Sequence, residues 1–143
     1  MTEAGPFEKL ELRSDDSWKL VCSVEAIGPD LLCRIHGGDT HIGAVALSEW
    51  RNGRAAAECL VAEGHREDKI AIHSAYKLCG ASRRRAVCLC GIHFEGINKS
   101  EIEEISQSAF ALATKVAEVV EDRRLSSDQG TRGGNRPQLE GGT

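Results

Sequence analysis

The sequence is poor in aromatic residues and prolines, and it has no excess of positive charge. Aromatics make up 4% of the 143 residues, proline occurs 3 times, and 18 lysines and arginines stand against 22 aspartates and glutamates. The net charge of −4 argues against a general nucleic-acid binder, which needs a basic surface. With 2 Trp, 1 Tyr and 3 Phe, the chain also has too few rings for a base-stacking platform. We therefore expect no nucleic-acid partner.

Long apolar runs and a secretory leader are missing too. No run approaches the roughly 18 apolar residues of a membrane span. Residues 1–6 have neither the basic nor the apolar segment of a signal peptide. These absences predict a cytoplasmic protein that does not enter a membrane. The length fits one domain, which we expect to cover residues 1–125.

The 6 cysteines include no Cys-x-x-Cys pair, the spacing that most often indicates a zinc site or a redox dithiol. Each lies in an apolar stretch, where a free cysteine behaves as a small hydrophobic residue. Cys88 and Cys90 are two residues apart, so on a strand they share one face. We expect buried packing residues, and a metal or disulfide role for this pair stays open.

Alternating polarity predicts a series of strands in the first half of the chain. Turn residues separate them, at Gly28-Pro29-Asp30, at Gly37-Gly38-Asp39 and at Asn52-Gly53, which is the strongest short hairpin signal. Short turns between successive strands indicate an antiparallel meander. The predicted strands cover residues 7–13, 17–27, 31–36, 40–49 and 54–62.

In the second half of the chain the apolar period changes. Residues 66–79 carry apolar side chains at helical spacing, and Gly80 is placed to end that helix. Residues 86–94 are almost wholly apolar, which is typical of a central strand covered on both faces. The sequence therefore predicts an α+β fold, with a mainly antiparallel sheet of five to six strands and two helices in the order β(β)ββββ-α-β-α.

The last helix has the clearest start signal in the chain. Asn98 is placed as its N-cap, and Glu101 stands three residues further on as the capping-box partner. An apolar seam then recurs at steps of three and four as far as Val119, and it can cover the sheet or pack against a partner chain. We expect the helix to end near Arg124. Residues 126–143 hold too few apolar side chains to offset the entropy of ordering, which predicts a disordered tail.

The chain contains no nucleophile elbow, Walker loop, His-Glu-x-x-His helix or Rossmann fingerprint. Instead, glycines and histidines recur at the ends of the predicted elements. A helix N-terminus offers N–H groups to an anion, arginine suits phosphate contacts, and glycine lets a backbone approach a flat ligand. We therefore expect a site for a phosphorylated small molecule, made of Gly37, Gly38, His41, Gly43, His65, Arg66, Asp68, Lys69, Gly91 and His93.

Each of these residues also has a plain structural interpretation, as a turn glycine, a helix cap or a hydrogen-bonded core histidine. The triplet Arg83-Arg84-Arg85 has two interpretations as well. It is a solvated turn or a docking patch for an acidic partner.

Four strings, in this order and spacing, carry a resemblance to a known family. They are Gly37–Gly43 (GGDTHIG), Gly64–Asp68 (GHRED), Gly91–His93 (GIH) and Ile97–Ile102 (INKSEI). Over about residues 17–120 the chain resembles the small D subunit of gallate and hydroxybenzoate decarboxylases, a family described as prenylated-flavin chaperones. That family often has lysine after the histidine of the second string, where this chain has Arg66.

The resemblance implies an accessory protein, not an enzyme, that binds prenylated FMN or FMN. It implies a UbiD-type decarboxylase subunit as the partner to which the cofactor is delivered. It also implies a fold like that of proteasome-assembly chaperones, often as a homodimer. No functional residue is carried over from the family, so the ten site residues rest on the physical argument above.

Two alternatives stay open beside the chaperone. A metal-dependent enzyme would use His41, His65 and His93, with Asp68 as a fourth ligand. A dimeric assembly scaffold would use the apolar seam of residues 98–124 to bind a second copy or a larger subunit. The chaperone interpretation predicts neither turnover nor a bound metal.

Overall fold

The computed structural model describes residues 8–63 and 67–142, with side chains described as far as Ser127. Its strands and helices follow one another in the order that the sequence predicts, so the α+β fold class is confirmed. The elements are β1 (Leu10–Arg13), β2 (Val21–Ile27), β3 (Asp30–Gly38), β4 (Ala44–Arg51), β5 (Arg54–Val61), α1 (Asp68–Ser82), β6 (Ala86–His93) and α2 (Lys99–Gly142).

The strands form one six-stranded sheet in the order β1-β2-β3-β6-β4-β5. β6 runs parallel to β3 and antiparallel to β4, and the remaining neighbours are antiparallel. The central position predicted for residues 86–94 is confirmed. The simple meander is wrong, because β6 separates β3 from β4. An apolar strand is stabilised by pairing on both edges, and the turn residues between β3 and β4 do not reveal that a later strand enters between them.

Both helices cover the same face of this sheet. In β6, Ala86, Cys88 and Cys90 are fully buried beneath the helices, whereas Val87 and Leu89 on the other face are only half-buried. The expectation that this strand is covered on both faces is therefore wrong. The sequence conceals the difference because the side chains on the open face are apolar as well.

β2 begins at Val21, later than residue 17 where the sequence predicts it. The preceding segment is folded into a turn around one carboxylate. Asp16 accepts hydrogen bonds from the Trp18 N–H at 3.1 Å and from the Ser108 hydroxyl of α2 at 2.6 Å. The turn therefore fastens the start of the sheet to α2.

Helix α1 ends three residues beyond residue 79, where the sequence predicts its end, at Ser82. Gly80 lies inside the helix, and the expectation that it ends the helix is wrong. Arg83 adopts the left-handed conformation instead (φ 59°), and its N–H donates to the Cys79 carbonyl at 2.7 Å. The last turn is therefore closed by a backbone hydrogen bond. Because Arg83 has a side chain, its left-handed backbone carries some strain that glycine would avoid.

The start of α2 is confirmed in detail. The Asn98 N–H donates to Glu101 Oε1 at 3.0 Å, and the Glu101 N–H donates to Asn98 Oδ1 at 2.8 Å. Much of the apolar seam is buried within the protomer, at Ile105, Ala109, Leu112 and Val116. The seam thus covers this chain's own sheet and α1, which removes most of it from any contact with a partner chain.

The helical backbone of α2 continues to Gly142, beyond the end near Arg124 that the sequence predicts. Side chains after Ser127 lie outside the described part of the chain. The disorder of residues 126–143 therefore stays a prediction.

All six cysteines are free, and all but the half-buried Cys59 are buried. Cys22 and Cys33 meet at 3.6 Å between their sulfur atoms, and burial raises the pKa of the Cys90 thiol. The packing role is confirmed, and Cys88 and Cys90 share the helix-covered face as expected. Among the described residues, neither helix is both long enough and apolar enough to cross a membrane.

Candidate functional site

The loop of residues 39–43 crosses over the end of β6. The Asp39 N–H donates to the His93 carbonyl, and the Gly43 N–H donates to the Cys90 carbonyl, both at 2.8 Å. Gly91 allows this crossing, because a Cβ there would lie 1.6 Å from the His41 carbonyl oxygen. The loop and the strand end therefore form one unit.

Gly38 is needed in the same place for two reasons. It has a left-handed backbone (φ 65°), which favours glycine. A Cβ at this position would also lie 2.0 Å from the carbonyl oxygen of His93. The space beside Gly38 is filled by the chain's own backbone and is therefore not available to a ligand.

Glu67 joins three segments of the site. It is the N-cap residue of α1, yet its side chain makes no capping hydrogen bond, and only 8% of the residue is exposed. Its Oε2 lies 2.8 Å from His41 Nε2 and accepts a hydrogen bond from the Ile92 N–H at 3.1 Å. A Cβ at Gly43 would meet the same carboxylate at 2.4 Å. Glu67 thereby fixes the loop, the strand end and the helix start relative to one another.

Both ring nitrogens of His41 are engaged within the chain. His41 Nδ1 lies 2.9 Å from the carbonyl oxygen of Asp39, which accepts the hydrogen bond. His41 Nε2 lies 2.8 Å from Glu67 Oε2. The orientation of the ring is therefore fixed on both sides.

His93 and Glu95 form a second pair nearby, at 2.8 Å between Nε2 and Oε2. The hydrogen bond to Glu95 raises the pKa of His93. The ring centroids of His41 and His93 are 6.5 Å apart at an interplanar angle of 78°. Two histidines, each beside a carboxylate, therefore line one edge of the site.

A cavity of about 410 Å³ opens beside these pairs, between the end of β6, the β6–α2 loop and the first turns of both helices. This volume falls within the range of roughly 300–1,000 Å³ that is usual for ligand pockets. We call its polar lining residues His41, Glu67, His93 and Glu95 the polar wall, and its apolar lining residues Phe94, Ile97 and Ile102 the apolar wall. The lining residues are His41, Glu67, Ile70, Ile92, His93, Phe94, Glu95, Gly96, Ile97, Ile102, Ile105 and Ser106.

The structure brings together only part of the predicted site. His41 and His93 line the cavity, whereas Asp68 and Lys69 lie in the first turn of α1 and do not line it. The predicted glycines, at 37, 38, 43 and 91, accommodate neighbouring parts of the chain. His65 and Arg66 lie outside the described residues.

Several lining residues were not predicted, and Glu67 is the most important of them. An acidic residue is favourable at the start of any helix, so the sequence did not indicate that Glu67 contacts His41. Glu95, Phe94 and Ile97 belong to the short connection between β6 and α2. The adjacent Gly91–His93 and Ile97–Ile102 strings were the signal that could have identified this connection.

The metal set proposed from the sequence is not assembled in the described part of the chain. Among the described residues, the ligand atoms of Asp68, His41 and His93 do not converge as a group, and His65 is not described. The ligand atoms that do converge belong to Asp39, His93 and Glu95, which lie within 4.8 Å of one another. All three residues are exposed, which indicates a weaker site than a buried ligand set would give.

Comparison with solved structures defines the class of fold. The chain resembles a protein in the crystal structure of a chaperone complex for yeast 20S proteasome assembly, with a TM-score of 0.58. The match covers 80% of this chain and 97% of that chain at 6% sequence identity, so it shows the fold alone. The expectation of a proteasome-assembly-chaperone fold is confirmed.

The family follows from the sequence. Residues 14–121 match the prenylated flavin chaperone LpdD-like domain, and the chain belongs to this family. A comparison with curated proteins gave no match. The resemblance read from the four strings is confirmed, and the matched span contains every described residue that lines the cavity.

Proposed function

We propose that the protein binds prenylated FMN, or FMN itself, in the cavity beside His41 and Glu67 and helps deliver it to a UbiD-type decarboxylase. Family membership supports the chaperone role. The observation that carries the proposal is the cavity, which combines a fixed polar wall with an apolar one. The cofactor supplies the decarboxylation chemistry in the client, and this chain holds and releases it.

The two walls fit the two kinds of surface on a flavin. Phe94, Ile97 and Ile102 offer apolar surface to the faces of a ring system and to an added prenyl group. The rings of His41 and His93, each held by a carboxylate, provide a polar surface for the polar edge of the cofactor. Ile102 is 52% exposed on its helix, which is costly for an apolar side chain until a ligand covers it.

The phosphate of the cofactor needs a positive partner that the described cavity wall does not provide. The start of α1 is next to Glu67, and its first turn has no side-chain cap. Uncapped N–H groups at a helix N-terminus favour a phosphate, and Arg66 lies in the segment that leads into this turn. We therefore keep Arg66 as the proposed phosphate contact.

The lining residues favour binding without turnover. Among the described lining residues there is neither a cysteine nor a lysine for covalent catalysis. The side chains of His41 and Glu67 contact each other, and we assign this pair the role of positioning the cofactor edge. We propose an accessory protein and not an enzyme.

A transfer experiment tests the delivery role. The protein loaded with prenylated FMN is mixed with a cofactor-free UbiD-type decarboxylase, and decarboxylation is followed over time against an equal amount of free cofactor. We expect faster recovery of activity from the loaded protein, and slower recovery with a His41→Ala variant loaded to the same level. Equal rates from the loaded protein and the free cofactor would reject delivery.

A metal site is the second candidate, because Asp39, His93 and Glu95 bring their ligand atoms together. It is tested by metal analysis of protein purified without a polyhistidine tag. A stoichiometric metal that is lost in an Asp39→Asn variant would favour the metal-dependent enzyme. Its absence would favour the chaperone.

The expected homodimer is proposed on the open face of the sheet, since the α2 seam is largely buried within the protomer. Leu47 and Leu60 are exposed there, and half-buried Val87 and Leu89 continue the apolar surface. A second copy can cover this surface symmetrically, as in most homodimers. A Leu60→Glu variant should shift the mass measured by light scattering from dimer to monomer. We also propose the cytoplasm as the location, because free cysteines are typical of reducing compartments.

A further inference from the structure

A second cavity, of about 340 Å³, lies near the opposite end of β6 from the flavin site. It is formed by the β2–β3 turn, the end of β4 and the connection from α1 to β6. Its lining residues are Pro29, Asp30, Glu49, Trp50, Arg83, Arg84 and Arg85. The arginine triplet noted in the sequence thus borders a cavity, and we name these seven residues the arginine cavity.

The carboxylates of the arginine cavity are already engaged by one arginine. Arg85 Nη2 lies 2.9 Å from Glu49 Oε2, and Arg85 Nη1 lies 3.3 Å from Asp30 Oδ2. Arg85 Nε also donates a hydrogen bond to Glu49 Oε2 at 3.0 Å, and hydrogen bonding to Glu49 raises the pKa of Arg85 most. Both acids of the cavity are therefore paired with Arg85, and Glu49 Oε1 also lies 3.8 Å from Arg51 Nε outside the cavity.

The other two arginines have no carboxylate partner in the cavity. The Arg83 guanidinium lies over the Trp50 ring, 4.9 Å from its centroid. Arg84 also lines the cavity, and among the described residues its Nη1 is the buried side-chain nitrogen or oxygen that lacks a hydrogen-bond partner. Because an unpaired donor of a charged group is costly, the Arg84 guanidinium would be stabilised by an acceptor in the cavity.

The charge of the cavity indicates which kind of acceptor fits it. Three arginines and two carboxylates line the cavity, and Arg51 shares Glu49, so the cavity is net positive in a chain whose total is −4. A singly charged carboxylate is repelled less by Asp30 and Glu49 than a phosphate dianion is. A guanidinium also matches a carboxylate with two parallel hydrogen bonds. The half-buried Trp50 ring adds an aromatic surface of the kind that is enriched in protein interfaces.

We propose that the arginine cavity is a docking site for an acidic segment of a partner protein, with a carboxylate of that segment bound by Arg84. The arginine cavity lies apart from the proposed flavin cavity. Along β6, the seven steps from Arg85 to Ile92 separate the linings of the two cavities, which corresponds to about 23 Å at ~3.3 Å per residue. A partner docked by its acidic segment leaves the flavin cavity open.

The proposal is tested with the fluorescence of Trp50. The chain has 2 tryptophans, so a Trp18→Phe background leaves Trp50 as the reporter. An acetylated, amidated tetraglutamate peptide is titrated, with tetraglutamine as the uncharged control. We expect a saturable change with tetraglutamate alone, and at least tenfold weaker binding in an Arg84→Gln variant.

Two further variants keep the test falsifiable if Arg84→Gln disturbs folding. Arg83 is exposed, so Arg83→Gln removes a charge from the cavity without touching the core, and it should weaken binding severalfold. Arg13→Gln, on edge strand β1, removes the same charge elsewhere and should leave binding unchanged. Absent saturation, equal affinity in all three variants, or displacement of the peptide by equimolar inorganic phosphate would overturn the proposal.

Discussion

His41 and Glu67 are separated by 26 positions in the sequence, and their side chains meet at 2.8 Å. The contact joins the β3–β4 loop to the start of α1, and the Ile92 N–H adds the end of β6 through the same carboxylate oxygen. The polar wall of the cavity is therefore fixed without a ligand. A site that is already ordered loses less conformational entropy on binding.

Replacing Glu67 tests this arrangement. Glu67→Ala removes the carboxylate that contacts the Ile92 N–H and His41 Nε2. We expect a loss of about 1–3 kcal/mol in the free energy of unfolding, measured by urea denaturation. The control is Glu58→Ala on β5, an exposed acid, for which we expect a change within about 0.5 kcal/mol. Equal stability of the two variants would show that the Glu67 contacts do not hold the loop.

Two glycine variants separate close packing from backbone freedom. In Gly91→Ala the new Cβ would lie 1.6 Å from the His41 carbonyl oxygen, so the loop must move. We expect destabilisation of about 1–3 kcal/mol and weaker flavin binding. In Gly80→Ala the Cβ meets nothing within 4 Å inside α1, and helix propensity predicts stabilisation of about 0.5–1 kcal/mol. Thermal unfolding of both variants measures the difference, and a Gly91→Ala variant as stable as the parent would contradict the crossing.

His73 predicts a dependence of stability on pH. Its ring lies 4.8 Å from that of Phe110, and its Nε2 lies 3.2 Å from the Thr114 hydroxyl, between α1 and α2. Burial lowers the pKa of His73 below 6.5, and the positive charge of Lys77 lowers it further. The unfolded chain therefore takes up this proton at a higher pH than the folded protein does. The stabilisation is complete above about pH 6.5 and is lost as the pH falls through the folded pKa.

The measurement for His73 is the urea midpoint at about pH 7.5 and about pH 5.5. We expect the midpoint of the parent to fall more than that of a His73→Gln variant, whose side chain does not titrate in this range. An equal fall in both proteins would assign the pH dependence to other groups.

Ile102 tests the apolar wall of the cavity. Its side chain is 52% exposed and lines the cavity, so Ile102→Ser should weaken flavin binding several-fold with little loss of stability. Leu125 provides a matched control on the same helix, since it is 44% exposed and does not line the cavity. Fluorescence titration compares the two. Similar affinities in both variants would place the flavin elsewhere.

Features that depend on residues close together in the chain could be predicted from the sequence. Features that depend on contacts between distant segments could not. The Asn98–Glu101 cap involves residues three positions apart, and it was predicted correctly. The insertion of β6 between β3 and β4 depends on segments far apart in the chain, and turn signals could not reveal it. Glu67 was missed for the same reason, because its partners His41 and Ile92 lie 26 and 25 positions away.

The central claim is that prenylated FMN binds in the cavity beside His41, and equilibrium titration followed by flavin fluorescence tests it most directly. The parent protein is compared with His41→Ala and with His36→Ala, whose side chain lies on the open face of the sheet. We predict saturable binding that is at least about tenfold weaker in His41→Ala, equivalent to about 1.4 kcal/mol, and unchanged in His36→Ala. Binding that is absent from the parent, or equally strong in both variants, would contradict the account.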